Sequence, residues 1–352
     1  MFSINVPRLK SIPKAKNSLG LSIDDYKGAP STLCGGCGHD SITQAIVEAC
    51  FELSIVPHQV AKMSGIGCSS KTPGYFLREA HGFNAVHGRM PSVTTGAYLA
   101  NREMKYLAVS GDGDTGSIGL GQFMHAIRRQ LNMVYIVENN GVYGLTKGQF
   151  SATADYATTN KKKEKNGWLP IDLVGLALEL GASYVARAFS GDKAQLVPLI
   201  KGALSHKGFA FLDVLSPCVS FNNHQGSSKS YQHIRDKREA AFDAVDFVPP
   251  AKAIELDYQP GMQERVQLFD GSQVLLHKTD HSYDPTDVEK ALAYLRQAKA
   301  KGEIATGLFY VDSSAEDFHT VYQTTEGPLR NLEEVDLSPG QVVLDKINDA
   351  LR

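Results

Sequence analysis

The stretch from Lys105 to Gln149, KYLAVSGDGDTGSIGLGQFMHAIRRQLNMVYIVENNGVYGLTKGQ, decides how the rest of the chain is read. Tyr106–Ser110 and Met133–Val137 are short apolar, β-branched runs, the composition of strands. Between them Leu120, Phe123, Met124, Ile127 and Leu131 recur at helical spacing, so the segment reads as one right-handed βαβ unit with parallel strands. Parallel strands end at the same edge of a sheet. Here that edge carries Gly111-Asp112-Gly113-Asp114 and Asn139-Asn140-Gly141-Val142-Tyr143-Gly144, and in doubly wound sheets it is the edge at which ligands bind. A helix beginning near Thr115 would offer unpaired N–H groups and a positive dipole end to a phosphate.

Asp112 supplies a hard carboxylate and Asn140 an amide carbonyl from the neighbouring strand end. With the backbone carbonyl of Val142 they could form one face of an octahedral Mg²⁺ site, the other positions going to diphosphate oxygens and water. Gly111 and Gly113 let the backbone come close to a ligand. A second reading competes, since Gly111-Asp-Gly113-Asp-Thr-Gly116 also fits the dinucleotide fingerprint, with Glu138 roughly where a ribose-binding acid stands. That reading sets Asp112 against a pyrophosphate without a cation and leaves Asn139 and Asn140 without a task. The metal–diphosphate reading is preferred for that reason.

With 352 residues, 42% of them hydrophobic, and a formal charge of −2, the chain has material for a large core and no electrostatic footprint for nucleic acid. The opening residues contain no apolar segment, and no run approaches the ~18 apolar residues of a membrane span, so the expectation is a cytoplasmic protein without membrane attachment. Five cysteines, an odd number, argue against a disulfide framework and for metal ligands or buried thiols.

In chain order, residues 1–30 read as an extended arm lying on a partner. Leu33-Cys34-Gly35-Gly36-Cys37-Gly38-His39-Asp40 is a glycine-rich turn entering a helix whose apolar face carries Ile42, Ala45, Ile46, Ala49 and Leu53. Cys34 and Cys37 have chelating C-x-x-C spacing, whereas Cys50 falls on the helix's apolar side and reads as a small core residue. A strand Val60–Ser64 ends in Gly65-Ile66-Gly67-Cys68-Ser69-Ser70-Lys71. His87-Gly88-Arg89 precedes a helix expected over Ser92–Arg102 and is a cofactor-contact candidate. Ser151–Asn166 reads as a solvated polar loop ending in the charge run from Lys161 to Lys165. Beyond it come a helix Asp172–Leu180, a strand Ser183–Ala188, a helix Ala194–Ser205 interrupted at Pro198, and a strand Phe209–Leu215 followed by Ser216-Pro217-Cys218.

Four of the five cysteines, Cys34, Cys37, Cys68 and Cys218, are thus delivered by turns and strand ends toward the side that holds Asp112 and Asn140. Four thiolates suit either zinc or an iron–sulfur cluster, although structural zinc more often takes its ligands as two close pairs. From Phe242 onward the pattern loosens. Gln263–Leu276 alternates like strands, Thr286–Ala300 is amphipathic, and the rest is irregular. The division expected is an arm over residues 1–30, a cofactor- and cluster-binding domain over 31–240, and a C-terminal extension over 241–352.

Gly-Asp-Gly followed by 25 residues and then Asn-Asn resembles the thiamine diphosphate-binding motif. The form NNGVYGLTKGQ, together with the cysteines, is similar to the β subunits of 2-oxoacid:ferredoxin oxidoreductases, over about Ser31–Asp236. The resemblance implies an α/β fold with a doubly wound, mainly parallel sheet and an irregular C-terminal extension. It also implies Mg²⁺ on Asp112, Asn140 and Val142, and a [4Fe–4S] cluster rather than zinc on Cys34, Cys37, Cys68 and Cys218. Thiamine diphosphate contacts are implied at Ile66, Gly67, Cys68, Ser69, Ala85, Val86, His87, Gly88, Gly113, Asp114, Gly144 and Leu145. Leu145 would hold the cofactor bent, and Lys71 and Lys147 would face the substrate.

The activity implied is coenzyme A-dependent oxidative decarboxylation of a 2-oxoacid with reduction of ferredoxin, and the reverse CO₂-fixing carboxylation. No second module here supplies the glutamate that the aminopyrimidine requires. The resemblance places it on a separate α subunit, in a heterotetramer of two α and two β chains. General likeness favours 2-oxoglutarate over pyruvate or a branched-chain oxoacid. Two rivals are a non-enzymatic iron–sulfur electron-transfer subunit and a thiamine-dependent decarboxylase or acetolactate-type enzyme, for which the four cysteines are superfluous.

Overall fold

Strand Met133–Asn139 is buried at every position, and its side chains alternate between two cores, as the two-residue period of a strand requires. Met133, Tyr135 and Val137 enter one core, and Val134 and Ile136 the other. Each large side chain removed from water in this way contributes ~1.5–3 kcal/mol, which is why the central strands read as unbroken apolar runs. The computed structural model describes residues 15–160, 162–222, 258–267, 273–279 and 283–352.

Among the described residues, nine strands form one sheet in the order β2-β1-β3-β4-β8-β7-β11-β10-β9. The strands are β1 Val60–Ser64, β2 His81–Asn84, β3 Lys105–Gly111, β4 Met133–Asn139, β7 Tyr184–Phe189, β8 Phe209–Leu215, β9 Gln263–Gln267, β10 Gln273–Lys278 and β11 Ile304–Val311. A separate hairpin pairs β5 Val142–Tyr143 with β6 Gln149–Phe150. From β2 to β7 every pairing is parallel, so β1, β3, β4 and β8 end side by side at the centre of one edge. Helices α1 Gly38–Glu52 and α5 Lys193–Ser205 cover one face. Helices α2 Met90–Ala100, α3 Leu120–Arg128 and α4 Leu173–Glu179, with the helix Val288–Lys301, cover the other.

Several expectations change. Helix α3 does not begin near Thr115: a π-helical turn, Asp114–Ile118, intervenes and turns the Asp114 carboxylate inward. Helix α2 begins two residues early, at Met90, with Pro91 in its first turn, where a missing N–H costs nothing. Pro198 lies inside α5 without ending it. Residues 15–30 are folded against the body of the chain, since Tyr26 is fully buried and its hydroxyl donates to the Ile55 carbonyl at 2.8 Å; residues 1–14 of the expected arm lie outside the described residues.

The C-terminal segment is more regular than its sequence announces. β11 lies antiparallel to β7 and parallel to β10, and β9 closes the edge. Phe242 and Val248-Pro249-Pro250 lie outside the described residues. No helix among those described is long and apolar enough to cross a membrane.

Candidate cofactor and metal site

Register places Gly111 of β3 opposite Glu138 of β4, so the chain leaves β3 at Asp112 next to Asn139 and Asn140. Asp112 is 1% exposed. Its Oδ2 accepts from Gly141 N at 3.1 Å, from Thr153 Oγ1 at 2.6 Å and from Ser151 Oγ, while among the described residues Oδ1 accepts only from Asn140 N at 3.2 Å. A buried carboxylate without a cation is costly, and Asp112 has no ion-pair partner among the described residues. Oδ1 is the oxygen left with room for a metal. The Asn140 carbonyl oxygen is 3.0 Å from Val142 N, which turns the Val142 peptide in the same loop. The donor set of one carboxylate, one amide oxygen and one backbone carbonyl is that of a hard, oxygen-seeking cation.

Asp114 sits on the other side of the glycine loop, 3% exposed. It accepts from Gly88 N at 2.7 Å, from Ser110 Oγ at 2.7 Å and from the His87 ring, so the turn Ala85–Gly88 is fixed to β3. Gly65 is required here: a Cβ on it would stand 1.8 Å from the Asp114 carboxylate. His39, Ile66 to Ser69, Gly111 to Asp114, Glu138, Asn140 and Val142 to Gly144 line one crevice.

Glu138 is fully buried at the back of that crevice. Its Oε2 accepts from Thr72 Oγ1 at 2.9 Å, and its Oε1 has no hydrogen-bond partner among the described residues. Burial holds its carboxyl well above the ordinary carboxylate range. Burial also pushes His39 down to about 4. Burial thus disfavours the charged form of both groups, and their 3.7 Å approach is not that of a strong ion pair. The orphaned oxygen lining the crevice fits a site completed by a bound group.

The thiols converge on the same edge. A Cβ on Gly144 would stand 3.3 Å from Cys68 Sγ and 3.8 Å from Cys218 Sγ, so both sulfurs flank one backbone position. Burial raises Cys68, with Cys218 and Cys34 adding to it and the Lys71 ammonium pulling the other way. Burial likewise raises Cys37, to which Glu138 and Cys218 contribute. Cys218 is raised by burial but receives the backbone N–H groups of Ser220, Phe221 and Asn222, a cradle suited to a sulfur that carries negative charge. Among the described residues, no three His, Cys, Asp or Glu side chains close to a metal-binding group. Cys50 stands apart in the core, fully buried, its thiol pushed up to about 12 by burial.

Lys147 and Leu145 lie on the exposed tip of the β5–β6 hairpin, Lys147 with a left-handed φ of +79°, and Lys71 is exposed at the crevice mouth. Val86 is 75% exposed, and Ile66 is also exposed. Sequence reading missed Ser151 and Thr153. They were read as solvated loop, yet they are buried and hold Asp112. Only the small hydroxyl residues following the hairpin could have signalled it.

A mainly parallel, doubly wound sheet whose central strand ends bring an acidic glycine loop and an Asn-Asn-Gly turn to one crevice is the architecture of the thiamine diphosphate-binding proteins. Residues 62–214 match the family described as thiamine pyrophosphate enzyme, C-terminal TPP binding domain. The chain is 41% identical over 191 residues to the 2-oxoacid:ferredoxin oxidoreductase subunit beta of Saccharolobus solfataricus, covering 54% of this chain and 63% of that one. It is 37% identical over 195 residues to the 2-oxoglutarate synthase subunit KorB of Methanocaldococcus jannaschii, covering 54% of this chain and 71% of the relative. A solved structure, 2-oxoglutarate:ferredoxin oxidoreductase from Magnetococcus marinus with 2-oxoglutarate, coenzyme A and succinyl-CoA bound, superimposes with a TM-score of 0.70 at 30% identity, over 86% of this chain and 89% of the other. This chain belongs to the family of 2-oxoacid:ferredoxin oxidoreductase β subunits.

Proposed function

We propose that the chain is the β subunit of a coenzyme A-dependent 2-oxoglutarate:ferredoxin oxidoreductase. With an α subunit it converts 2-oxoglutarate to succinyl-CoA and CO₂ while reducing ferredoxin, and it runs the reverse carboxylation when reduced ferredoxin is plentiful. The observation that carries this reading is the meeting, at the ends of four adjacent parallel strands, of the cation-less Asp112 with Cys68 and Cys218. Thiamine diphosphate, when bound, would supply the nucleophilic and electron-sink chemistry that oxoacid decarboxylation needs.

Asp112 Oδ1, the Asn140 amide oxygen and the Val142 carbonyl would hold Mg²⁺ for the diphosphate. Ser69, Ala85, His87, Gly88 and Asp114 line the bed of the cofactor, with Gly113 and Gly144 leaving it room. Leu145 would be its apolar prop. Cys34, Cys37, Cys68 and Cys218 would hold a [4Fe–4S] cluster. Such a cluster would supply one-electron transfer of the kind ferredoxin requires. Lys71 and Lys147 offer cations to the oxoacid carboxylates and to charge developing on the carbonyl oxygen. The second carboxylate of 2-oxoglutarate, and the names of the relatives and the bound molecules of the structural neighbour, favour this substrate over pyruvate.

The test is to co-express the chain with its α subunit and measure coenzyme A-dependent viologen reduction. 2-Oxoglutarate should exceed pyruvate in kcat/KM by at least about tenfold, equivalent to ~1.4 kcal/mol in transition-state binding. A preference for pyruvate would overturn the substrate assignment. Absence of thiamine diphosphate from the denatured complex would overturn the enzymatic one.

A further inference from the structure

One buried network extends beyond the cofactor crevice. Thr153 Oγ1, the 2.6 Å partner of Asp112 Oδ2, also lies 3.0 Å from the side-chain oxygen of Asn139. The Asn139 amide cannot turn over, because its Nδ2 donates to Asp213 Oδ1 at 2.9 Å. Asp213, 1% exposed on β8, is clamped in turn by Arg187 Nε at 2.9 Å from the neighbouring β7. Arg187 Nη2 reaches Asp172 Oδ1 at 3.0 Å, and Asp172 caps α4 by accepting from Val174 N. The network therefore spans three adjacent strands and a helix N-terminus and ends on the oxygen of Asp112 that faces away from the room left for a metal.

We infer that Asn139, Thr153 and Asp213 are positioning residues for the metal site: they set the angle of the Asp112 carboxylate without touching the cation. The inference rests on the metal–diphosphate reading of Asp112. The physical argument is donor supply. The Thr153 hydroxyl has one proton and two acceptors within 3.0 Å, Asp112 and Asn139. Asp213 fixes the Asn139 amide with its oxygen toward Thr153, so Thr153 is held in one rotamer from the side opposite Asp112. With Ser151 and the Gly141 N–H it keeps Oδ2 occupied, and Oδ1, which receives the Asn140 N–H at 3.2 Å, is left to the cation. This gives the first Asn of the Asn-Asn pair a task distinct from that of Asn140. Partners that orient a metal-ligating group in this way change metal affinity by ~10–100-fold when removed.

The experiment measures the Kd of Mn²⁺ by electron paramagnetic resonance on the αβ complex, stripped of divalent metal and supplied with thiamine diphosphate. Thr153→Val, which keeps shape and removes the hydroxyl, should weaken Mn²⁺ about tenfold or more, and Thr153→Ser should recover to within about threefold of the parent. Asp213→Asn, which lets the Asn139 amide turn over, should fall between them. The absorbance of the iron–sulfur cluster and the melting temperature should stay at parental values in Thr153→Ser and Asp213→Asn, so those two carry the test if Thr153→Val folds poorly. Equal Kd in all three variants, with loss of binding in Asp112→Ala, overturns this inference and leaves the metal site standing. Equal loss in Thr153→Ser and Thr153→Val also overturns it, because the hydroxyl is then not the determinant. Unchanged binding in Asp112→Ala overturns the metal reading itself.

Discussion

The two halves of the crevice are built on opposite plans. Asp112 has both oxygens addressed by the protein: four donors reach it, two backbone N–H groups from the turn before the β5–β6 hairpin and two hydroxyls from the segment that follows it. The cysteines have little such support. Cys34 is exposed, with Ser220 Oγ 3.5 Å from its sulfur, and only Cys218 has a backbone cradle of several N–H groups. Burial acts against ionising Cys37, Cys68 and Cys218, and the thiols raise one another. The difference teaches that the oxygen-lined half is organised by hydrogen bonds of the protein itself, whereas the sulfur-lined half, on the proposed reading, would acquire its geometry from the metal it binds.

The largest effect expected from this contrast is on iron. Cys218→Ala should drop iron and acid-labile sulfide from about four of each per chain to near zero, whereas Cys50→Ala should retain them, as ligation by four thiolates requires. Cluster survival in Cys218→Ala, or its loss in Cys50→Ala, would break the assignment.

A second, intermediate effect separates the halves directly. Oxidative removal of iron from the αβ complex should raise amide hydrogen exchange around Cys34, Cys37 and Cys218 by about tenfold or more, with Asp112 and Asn140–Val142 changing by less than about twofold. Equal deprotection of both loops, read by mass spectrometry, would mean that one half does not form without the other. The smallest effect concerns the hairpin tip. Lys147→Gly relieves a left-handed backbone at φ +79°, and the relief, offset by the chain entropy of glycine, should stabilise by up to ~1 kcal/mol. Over that range the melting temperature should rise by a few degrees while KM for the oxoacid increases. A fall in melting temperature would mean that Lys147 has a structural partner instead.

What the sequence made legible was local. The run from Lys105 to Gln149 carries its own strand, crossover and strand periodicity, so the shared edge of Asp112 and Asn140 follows from the pattern of apolar residues. Cys50 was separable from the other cysteines because its helical phase alone places it in the core. What remained hidden depends on distant segments meeting. Ser151 and Thr153 look like any polar loop until the β5–β6 hairpin folds them back onto Asp112. The π-helical turn at Asp114 has no periodic signature, since it is stabilised by contacts to Ser110, His87 and Gly88 rather than by helix propensity. β11 was read as irregular because its partner is β7, more than a hundred residues earlier.

The reversal of direction between β7 and β11 has a practical consequence. Asp312, just past β11, donates its backbone N–H to Ser183 at the start of β7, so the turn Asp312–Glu316 opens on the edge opposite the crevice. A six-residue strand such as β7 spans about 20 Å at the usual rise per residue, which sets the distance between the two edges. Ser313 and Ser314 are exposed in that turn. A cysteine introduced at Ser314 would make a handle for a fluorophore or for tethering to an electrode, with the sulfur-rich side of the molecule facing outward into solution.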